Sequence, residues 1–227
     1  IEVQERFAQV TGVRLYEGYG LTETSPAATG QIRNAPPRQG SCGVPLPATD
    51  IEIRSLEDGT TAMATGDIGE VCIKGPQVMK GYWHRPDETA ETLRDGWLHT
   101  GDTGYMDEDG YLFLVDRTKD LIISSGFNVY PRHVEEAIYQ HPAIGAVTVI
   151  GIPDDYRGEA AKAFVELRDG ASLRFDELLE FLGDKLAKYE LPVAMEVRED
   201  LPRTPVGKLS KKELVAEEKA KAEAAAQ

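Results

Sequence analysis

The sequence predicts an α+β protein in two parts, a β-rich stretch over residues 1–117 and a smaller mixed domain over residues 118–227. Three observations carry this. From Ala35 to Gly81, glycines and prolines punctuate short β-type runs, the pattern of an antiparallel sheet or small distorted barrel. Residues 99–117 alternate about an Asp-Glu-Asp-Gly turn, as a hairpin does. Beyond Pro131, three helical and three strand patterns follow one another closely enough to make an independent domain, with a boundary near Arg117 to Lys119.

In order, residues 2–11 place Val3, Phe7 and Val10 on one helical face, with Gly12 as a stop. A strand over Val13–Tyr16 is expected to feed the octet Glu17–Thr24, EGYGLTET. Gly18 and Gly20 allow close backbone approach to a flat ligand, and the Tyr19 ring between them offers a stacking face. Thr22 and Glu23 supply a hydroxyl and a carboxylate suited to phosphate and Mg²⁺. The same octet equally suits a strand-to-turn junction around a buried tyrosine. Ile51–Ile53, Val71–Ile73 and Gln77–Met79 read as short strands, and residues 87–94 as a helical turn. Gly69–Gly75 and Gly81-Tyr82-Trp83 read as structural, the aromatics filling a small core, with no chemistry assigned.

The hairpin follows. Tyr105 stands on one arm and Tyr111, Phe113 and Val115 alternate on the other, while Asp107–Gly110 supplies turn chemistry and is too short for a calcium loop. Folding back in this way brings Asp102 and Arg117 into one neighbourhood. A carboxylate accepts hydrogen bonds from a vicinal diol and a guanidinium donates to sugar and phosphate oxygens, so the pair suits a nucleotide; ordinary surface charges on a hairpin fit the spacing too. The apolar burst Leu121–Ile123 then stops at Ser124-Ser125-Gly126.

Pro131 suits the first position of a helix carrying Val134, Ala137, Ile138 and His141, ended by Pro142. Val147–Ile150, Ala161–Leu167 and Val193–Val197 read as strands. Ser172 is placed to cap a helix that buries Leu178, Leu179, Leu182 and Leu186, and Ser210 with Glu213 forms a capping box before an exposed, frayed tail. The loop Leu201–Lys208 is stiffened by two prolines and freed at Gly207, so it holds the Lys208 ammonium away from the domain body.

A formal charge of −14 argues against a nucleic-acid surface, which needs a basic stripe. Cys42 and Cys72 lie far apart without a CxxC pattern, as reduced thiols of a cytoplasmic protein would. No apolar run nears the ~20 residues that span a bilayer. Ile1 opens directly into a helical pattern without initiator Met or signal peptide, which predicts a piece of a longer chain.

Four ordered stretches, EGYGLTET (17–24), HTGD (99–102), VDRTKDLI (115–122) and PRTPVGK (202–208), together resemble the adenylate-forming superfamily of acyl-CoA synthetases, luciferases and peptide-synthetase adenylation domains. With lysine at 119, the chain is most similar to the fatty-acyl-CoA synthetases. The resemblance implies that residues 1–117 are the distal β-rich part of a large AMP-binding domain and 118–227 a complete small α+β lid domain. It implies ATP, Mg²⁺ and CoA acting on a small carboxylic acid, probed at named positions. Glu17, Gly18, Tyr19 and Gly20 would line the adenine site, with Tyr19 stacking on the base. Thr22 would contact phosphate and Glu23 hold the metal. Asp102 and Arg117 would grip ribose and phosphate, Lys119 would be the hinge, and Lys208 the adenylation cation. Ser125, Gly126 and Phe127 would meet the pantetheine arm, and Arg157 the CoA nucleotide. The phosphate loop and acyl pocket are expected upstream of Ile1, leaving the 227-residue chain inactive alone. A peptide-synthetase-type adenylation domain, a luciferase-type oxygenase and a non-catalytic adenylate-binding module share these motifs. Oligomeric state stays open, as does peripheral contact with a membrane.

Overall fold

A computed structural model describes residues 2–205 and 207–225; the side chains of residues 2–5 and 225 fall outside it, as do Ile1, Val206, Ala226 and Gln227. The place of Val3 on its helix and the Val206 position of the lysine loop are therefore outside the described residues. The chain forms a mixed α/β structure of two compact units, the first ending at Thr118 and the second beginning at Lys119.

The first unit opens with α1 (Glu2–Thr11), closed where the Gly12 amide donates to the Ala8 carbonyl at 2.9 Å. Its Phe7 and Val10 stay exposed. Residues 13–17 form no strand; β1 is Gly18–Tyr19, and it pairs with β2 (Thr29–Gly30), which pairs with β3 (Val44–Pro45). The larger sheet contains β4 (Asp50–Arg54), β5 (Gly69–Lys74), then α2 (Pro86–Thr92), β6 (Leu93–Arg94), β7 (Trp97–Met106) and β8 (Leu112–Arg117). It is an open antiparallel sheet in the order β4-β5-β7-β6, with β8 paired to the far half of the long β7. Gln77–Met79 is a turn instead of a strand, Val78 donating back to the Gly75 carbonyl, while Val78 and Met79 still pack on the core.

Side-chain alternation along β5 decides what lies on each face. Val71 and Ile73 point into an apolar cluster with Ile53, Leu98 and Leu112. Glu70 and Cys72, on alternate positions, share the opposite face with His99, the register partner of Cys72. The ladder is irregular between Glu70 and Cys72: there Val71 alone stands opposite Thr100, Gly101 and Asp102. This is a bulge in β7, and Gly101, at φ 71°, accommodates its bend.

The second unit comprises β9 (Ile122–Ser124), β10 (Phe127–Val129), α3 (Pro131–Tyr139), β11 (Ile144–Asp154), β12 (Gly158–Leu167), α4 (Phe175–Leu182), β13 (Ala194–Val197) and α5 (Lys211–Ala225). Five strands therefore replace the expected three, the additions being the tight hairpin β9–β10. The order is β10-β9-β12-β11, with β13 parallel to the second half of β12. Val147 and Val149 of β11 and Ala163 and Val165 of β12 face Val134 and Ile138 of α3 and Leu178 and Leu182 of α4. Ala146, Ile150 and Phe164 face Leu214 of α5 on the other side. Coverage on both faces explains why Ile144–Ile152 is almost uninterruptedly apolar. Ser172 is not the cap of α4: the helix begins after Arg174, whose amide the Glu177 carboxylate accepts at 3.0 Å. Leu186 lies beyond the helix yet is buried. The C-terminal segment expected to fray is helical to Ala225.

Lys162 is a buried charge of this unit. It lies on the α5 side of β12, 2.9 Å from both Glu196 and Glu218 and over the Phe164 ring. Its hydrogen bond, more than any other interaction, draws the Glu196 carboxyl down from 4.5 to about 2. A carboxyl depressed on folding contributes stability that is complete above its unfolded value and is lost as pH falls towards the folded one. Lys162→Met should therefore destabilise this unit by roughly 1.5–3 kcal/mol near neutrality, the scale for hydrogen bonds to charged groups. Urea unfolding followed by hydrogen exchange of β12 should show the gap between parent and variant narrowing from pH 6 to pH 3; a constant gap would mean the ion pair is not its source.

Candidate functional site

The octet expected to carry chemistry folds as β1 followed by a single 3₁₀ turn over Thr22–Thr24. Thr24 is fully buried and holds that turn, its hydroxyl accepting from the Leu21 amide at 2.9 Å. This leaves Thr22 exposed and the Glu23 carboxylate half-buried. The glycines have a different reason from the one their spacing suggests. A Cβ on Gly20 would lie 1.8 Å from the Pro26 carbonyl oxygen, and one on Gly18 2.9 Å from that of Thr29. The close approach is of chain to chain, as the octet doubles back on itself. Glu17 is exposed beside them.

Tyr19 is half-buried, and its hydroxyl donates to Asp102 Oδ2 at 2.6 Å. Asp102, 83 residues away in sequence, is buried, and its Oδ1 accepts from Arg117 Nε at 3.2 Å. Asp102 and Arg117 are register partners across β7 and β8: the hairpin brings them into one neighbourhood, and an irregularity between Thr103 and Gly104 shifts the ladder by one residue to set them opposite each other. The Arg117 side chain remains 55% exposed. Burial first and the Asp102 carboxylate second push the Tyr19 phenol well above its usual range, so it stays a protonated donor at any ordinary pH. Three of the predicted residues thus form one constellation on the first unit.

Glu23 enters a second arrangement. Its Oε1 accepts from the Tyr82 hydroxyl at 2.8 Å, and both line a cavity of about 300 Å³ with Glu70, Glu91 and His99. Tyr82 and Trp83 do not fill a small core: Trp83 is 86% exposed, and Tyr82 spends its hydroxyl on Glu23. The stretch Gly69–Gly75, read as structural, carries a polar cluster. His99 Nδ1 lies 2.7 Å from Glu70 Oε2, and Arg94 pairs with the same carboxylate at 3.5 Å. Arg94 Nη2 also lies 2.5 Å from that ring nitrogen. One nitrogen cannot donate to Glu70 and accept from Arg94 at once, and the bond to the carboxylate is the stronger. A Glu70 carboxylate oxygen, Cys72 Sγ and a His99 ring nitrogen lie within 4.8 Å of one another. Burial, aided by Glu70, pushes the Cys72 thiol up to about 12, far from the thiolate a soft metal takes, and Arg94 already supplies a cation there. Sequence reasoning passed over this group; its one signal was a glutamate alternating with buried valine and isoleucine.

The remaining predicted residues lie on the second unit. Ser125 and Gly126 form the two-residue turn of the β9–β10 hairpin, with φ of 52° and 82°. The positive φ, not crowding, demands glycine at 126, since a Cβ there would meet nothing within 4 Å. Phe127 is exposed and stacks on Tyr189, with ring centroids 4.6 Å apart. Arg157 meets this turn through its backbone, the Ser125 amide donating to its carbonyl at 2.8 Å, and its Nη1 is buried without a hydrogen-bond partner. Lys119 is exposed in a short 3₁₀ turn. Lys208 is exposed too, on a loop closed by the Arg203–Leu209 bridge and by the Thr204 amide donating to the Lys208 carbonyl at 2.7 Å. No helix among the described residues is long and apolar enough to cross a membrane.

Residues 1–83 match the AMP-binding enzyme family and residues 133–208 the AMP-binding enzyme C-terminal domain. The chain is 51% identical over 218 residues to a long-chain-fatty-acid–CoA ligase of Bacillus subtilis (strain 168), covering 96% of this chain and 39% of that protein. It is 46% identical over 212 residues to a long-chain-fatty-acid–CoA ligase of Salmonella typhimurium, covering 93% and 37%. Among solved structures, ATP-bound MatB from Rhodopseudomonas palustris matches with a TM-score of 0.88 at 36% identity, over 94% of this chain and 42% of that one. The chain therefore spans about two fifths of the length of the curated relatives it matches.

Tyr19→Phe should destabilise the first unit by about 1.5–3 kcal/mol, because it leaves a buried carboxylate one donor short. Both tryptophans, Trp83 and Trp97, lie in that unit, so tryptophan fluorescence during urea unfolding reports it directly. In an Asp102→Asn background the same substitution should cost less; additive losses would show that the two groups are not coupled.

Proposed function

The chain belongs to the AMP-binding enzyme family, and from that premise we propose that the protein carrying it is an ATP-dependent acid–thiol ligase. It activates a carboxylic acid, of the fatty-acid class named in its relatives, as an acyl-adenylate and passes the acyl group to CoA. The observation that carries the reading is the Tyr19–Asp102–Arg117 constellation. An ionised carboxylate has about four lone-pair sites. Tyr19 and Arg117 use one on each Asp102 oxygen, so the other two suit the vicinal hydroxyls of a ribose. Arg117, mostly exposed, has further N–H donors for sugar or phosphate oxygens. Tyr19 presents its ring to adenine while its hydroxyl anchors the phenol, and the backbone of Glu17, Gly18 and Gly20 frames that ring.

In the first step the substrate carboxylate attacks the α-phosphorus of ATP; an acyl–oxygen–phosphorus bond forms and pyrophosphate leaves with the electron pair of the broken anhydride. In the second, the CoA sulfur attacks the acyl carbonyl carbon, the thiol proton is lost and AMP departs. Charge accumulates on phosphate oxygens in the first step, so the protein's task there is chiefly electrostatic. Thr22 donates to phosphate, and Lys208 is the cation facing the developing charge. Glu23 fits Mg²⁺, being a hard oxygen donor at the edge of a cavity with further carboxylates. Bound there, the ion would neutralise phosphate charge. The second step falls to other residues. Ser125, Gly126 and Phe127 receive the pantetheine arm and Arg157 the CoA nucleotide, a grouping supported by the contact between Ser125 and Arg157. Residues 1–117 then act as part of the AMP-binding domain and 118–227 as a mobile domain turning at Lys119. A cytoplasmic location belongs to the same proposal.

In a full-length protein carrying this chain, Lys208→Ala should slow acyl-adenylate formation by ~10²–10³-fold, the scale of losing one electrostatic stabiliser. Given preformed acyl-adenylate, the variant should form thioester at close to the parent rate, whereas Asp102→Ala should impair both steps. Single-turnover measurement of each half-reaction checks this, and equal damage to both by Lys208→Ala would remove that lysine from the adenylation role.

The hinge is tested separately. Lys119→Pro fixes φ and removes an N–H at the turn joining the two units. One half-reaction should fall far more than the other under the same assay; two equal losses would place the pivot elsewhere.

A further inference from the structure

The bulge in β7 creates a problem that two part-buried side chains solve. Where Val71 stands opposite Thr100, Gly101 and Asp102, the ladder between β5 and β7 cannot pair every backbone group. Thr100 answers part of this: its hydroxyl donates to the Val71 carbonyl at 2.8 Å and accepts from the Asp102 amide at 3.1 Å. The Gly101 amide is taken by Glu70 Oε1 at 3.1 Å. The other oxygen of the same carboxylate, Oε2, holds His99 Nδ1 at 2.7 Å. Glu70 thus grips β7 on both sides of Thr100, at His99 and at Gly101, immediately before the residue that binds Tyr19 and Arg117.

We propose that Glu70 is a positioning residue for the nucleotide: through Gly101 and His99 it fixes the bulge that aims the Asp102 carboxylate. The assignment rests on the reading of Asp102 as a nucleotide ligand. The side chain of Glu70 is only 12% exposed and that of His99 only 4%, so neither is a solvated surface charge. Arg94 balances the buried carboxylate from the solvent side. Glycine at 101 has φ 71° and nothing within 4 Å of a notional Cβ, so it is the positive φ and not crowding that calls for glycine there. Glu70 supplies the hydrogen bond to its amide.

The test uses a full-length protein carrying this chain, with AMP binding followed by calorimetry and KM measured separately for ATP and CoA. Glu70→Ala frees the Gly101 amide and His99 together, and should weaken AMP binding and raise KM for ATP by about tenfold, leaving KM for CoA within about twofold. Glu70→Gln keeps an oxygen for the Gly101 amide at the same reach, and should restore most of the AMP affinity. This rescue and the split between ATP and CoA distinguish positioning from loss of fold, which would lower every parameter together. Should the alanine variant fail to fold, the glutamine variant and His99→Gln decide: each is expected to weaken AMP binding by about threefold and to leave CoA unaffected, and parent-like AMP binding by both overturns the role. Parent-like AMP binding by Glu70→Ala, with Asp102→Ala defective, overturns the positioning role and leaves the nucleotide reading standing. Parent-like binding by Asp102→Ala overturns that reading itself.

Discussion

The pairing of β5 with β7 is the constraint on which the first unit depends. Strand geometry allows each residue of β5 one face only, so Val71 and Ile73 commit to the apolar core and Glu70 and Cys72 to the side of His99. The bulge opposite Val71 sets the direction of everything that follows it on β7. Asp102 reaches Tyr19 from one side and Arg117 from the other because the bulge and the β7–β8 register place it there. Moving that pairing by one residue would send the whole apolar set of β5 outward and take Asp102 with it.

Residues that meet across a hairpin were the most legible. The fold-back that carries Asp102 and Arg117 into one neighbourhood is visible in the letters, although the one-residue shift between Thr103 and Gly104 that sets them opposite each other is not. Tyr19 reaching Asp102 was not legible from spacing, since 83 residues separate them and only tertiary packing joins them. Glu70, Tyr82 and His99 escaped for a related reason. A strand that is apolar on one face and polar on the other reads as ordinary alternation, and nothing local says that its polar face is buried. The misplaced strand at Val13–Tyr16 and the missed hairpin β9–β10 have opposite causes. The first carries β-forming residues that find no ladder, and the second is a pair of three-residue strands held by their turn and neighbours.

The two units use buried charge differently. Lys162 in the second unit is enclosed by two glutamates and an aromatic ring, between a strand and α5, where breaking the group leaves uncompensated charge. Its partners hold the helix whose own sequence has little apolar stripe to offer, beyond Leu214 and Val215. Glu70 in the first unit is paired with a half-exposed arginine and a histidine, and its oxygens are spent on backbone geometry. One arrangement anchors an element; the other shapes a bend.

The glycines bear on how a site can be recognised at all. Gly18 and Gly20 flank Tyr19 in a pattern that suggests a ligand approaching the backbone, yet the space a side chain would need is already taken by Thr29 and Pro26. Gly126 is required by its positive φ in a turn that is open on every side. Neither case needs a ligand, so the glycines in these stretches are explained by the fold before any function is considered. What the fold does not need is the orientation of the polar groups. A buried carboxylate bonded on each oxygen by a different element, with one of those partners a half-exposed arginine, is an expensive way to stabilise a hairpin. Under the proposed function, the remaining lone pairs and donors are what would hold the nucleotide, which would put the functional content of the octet in Tyr19 and its distant partners rather than in the spacing of its glycines.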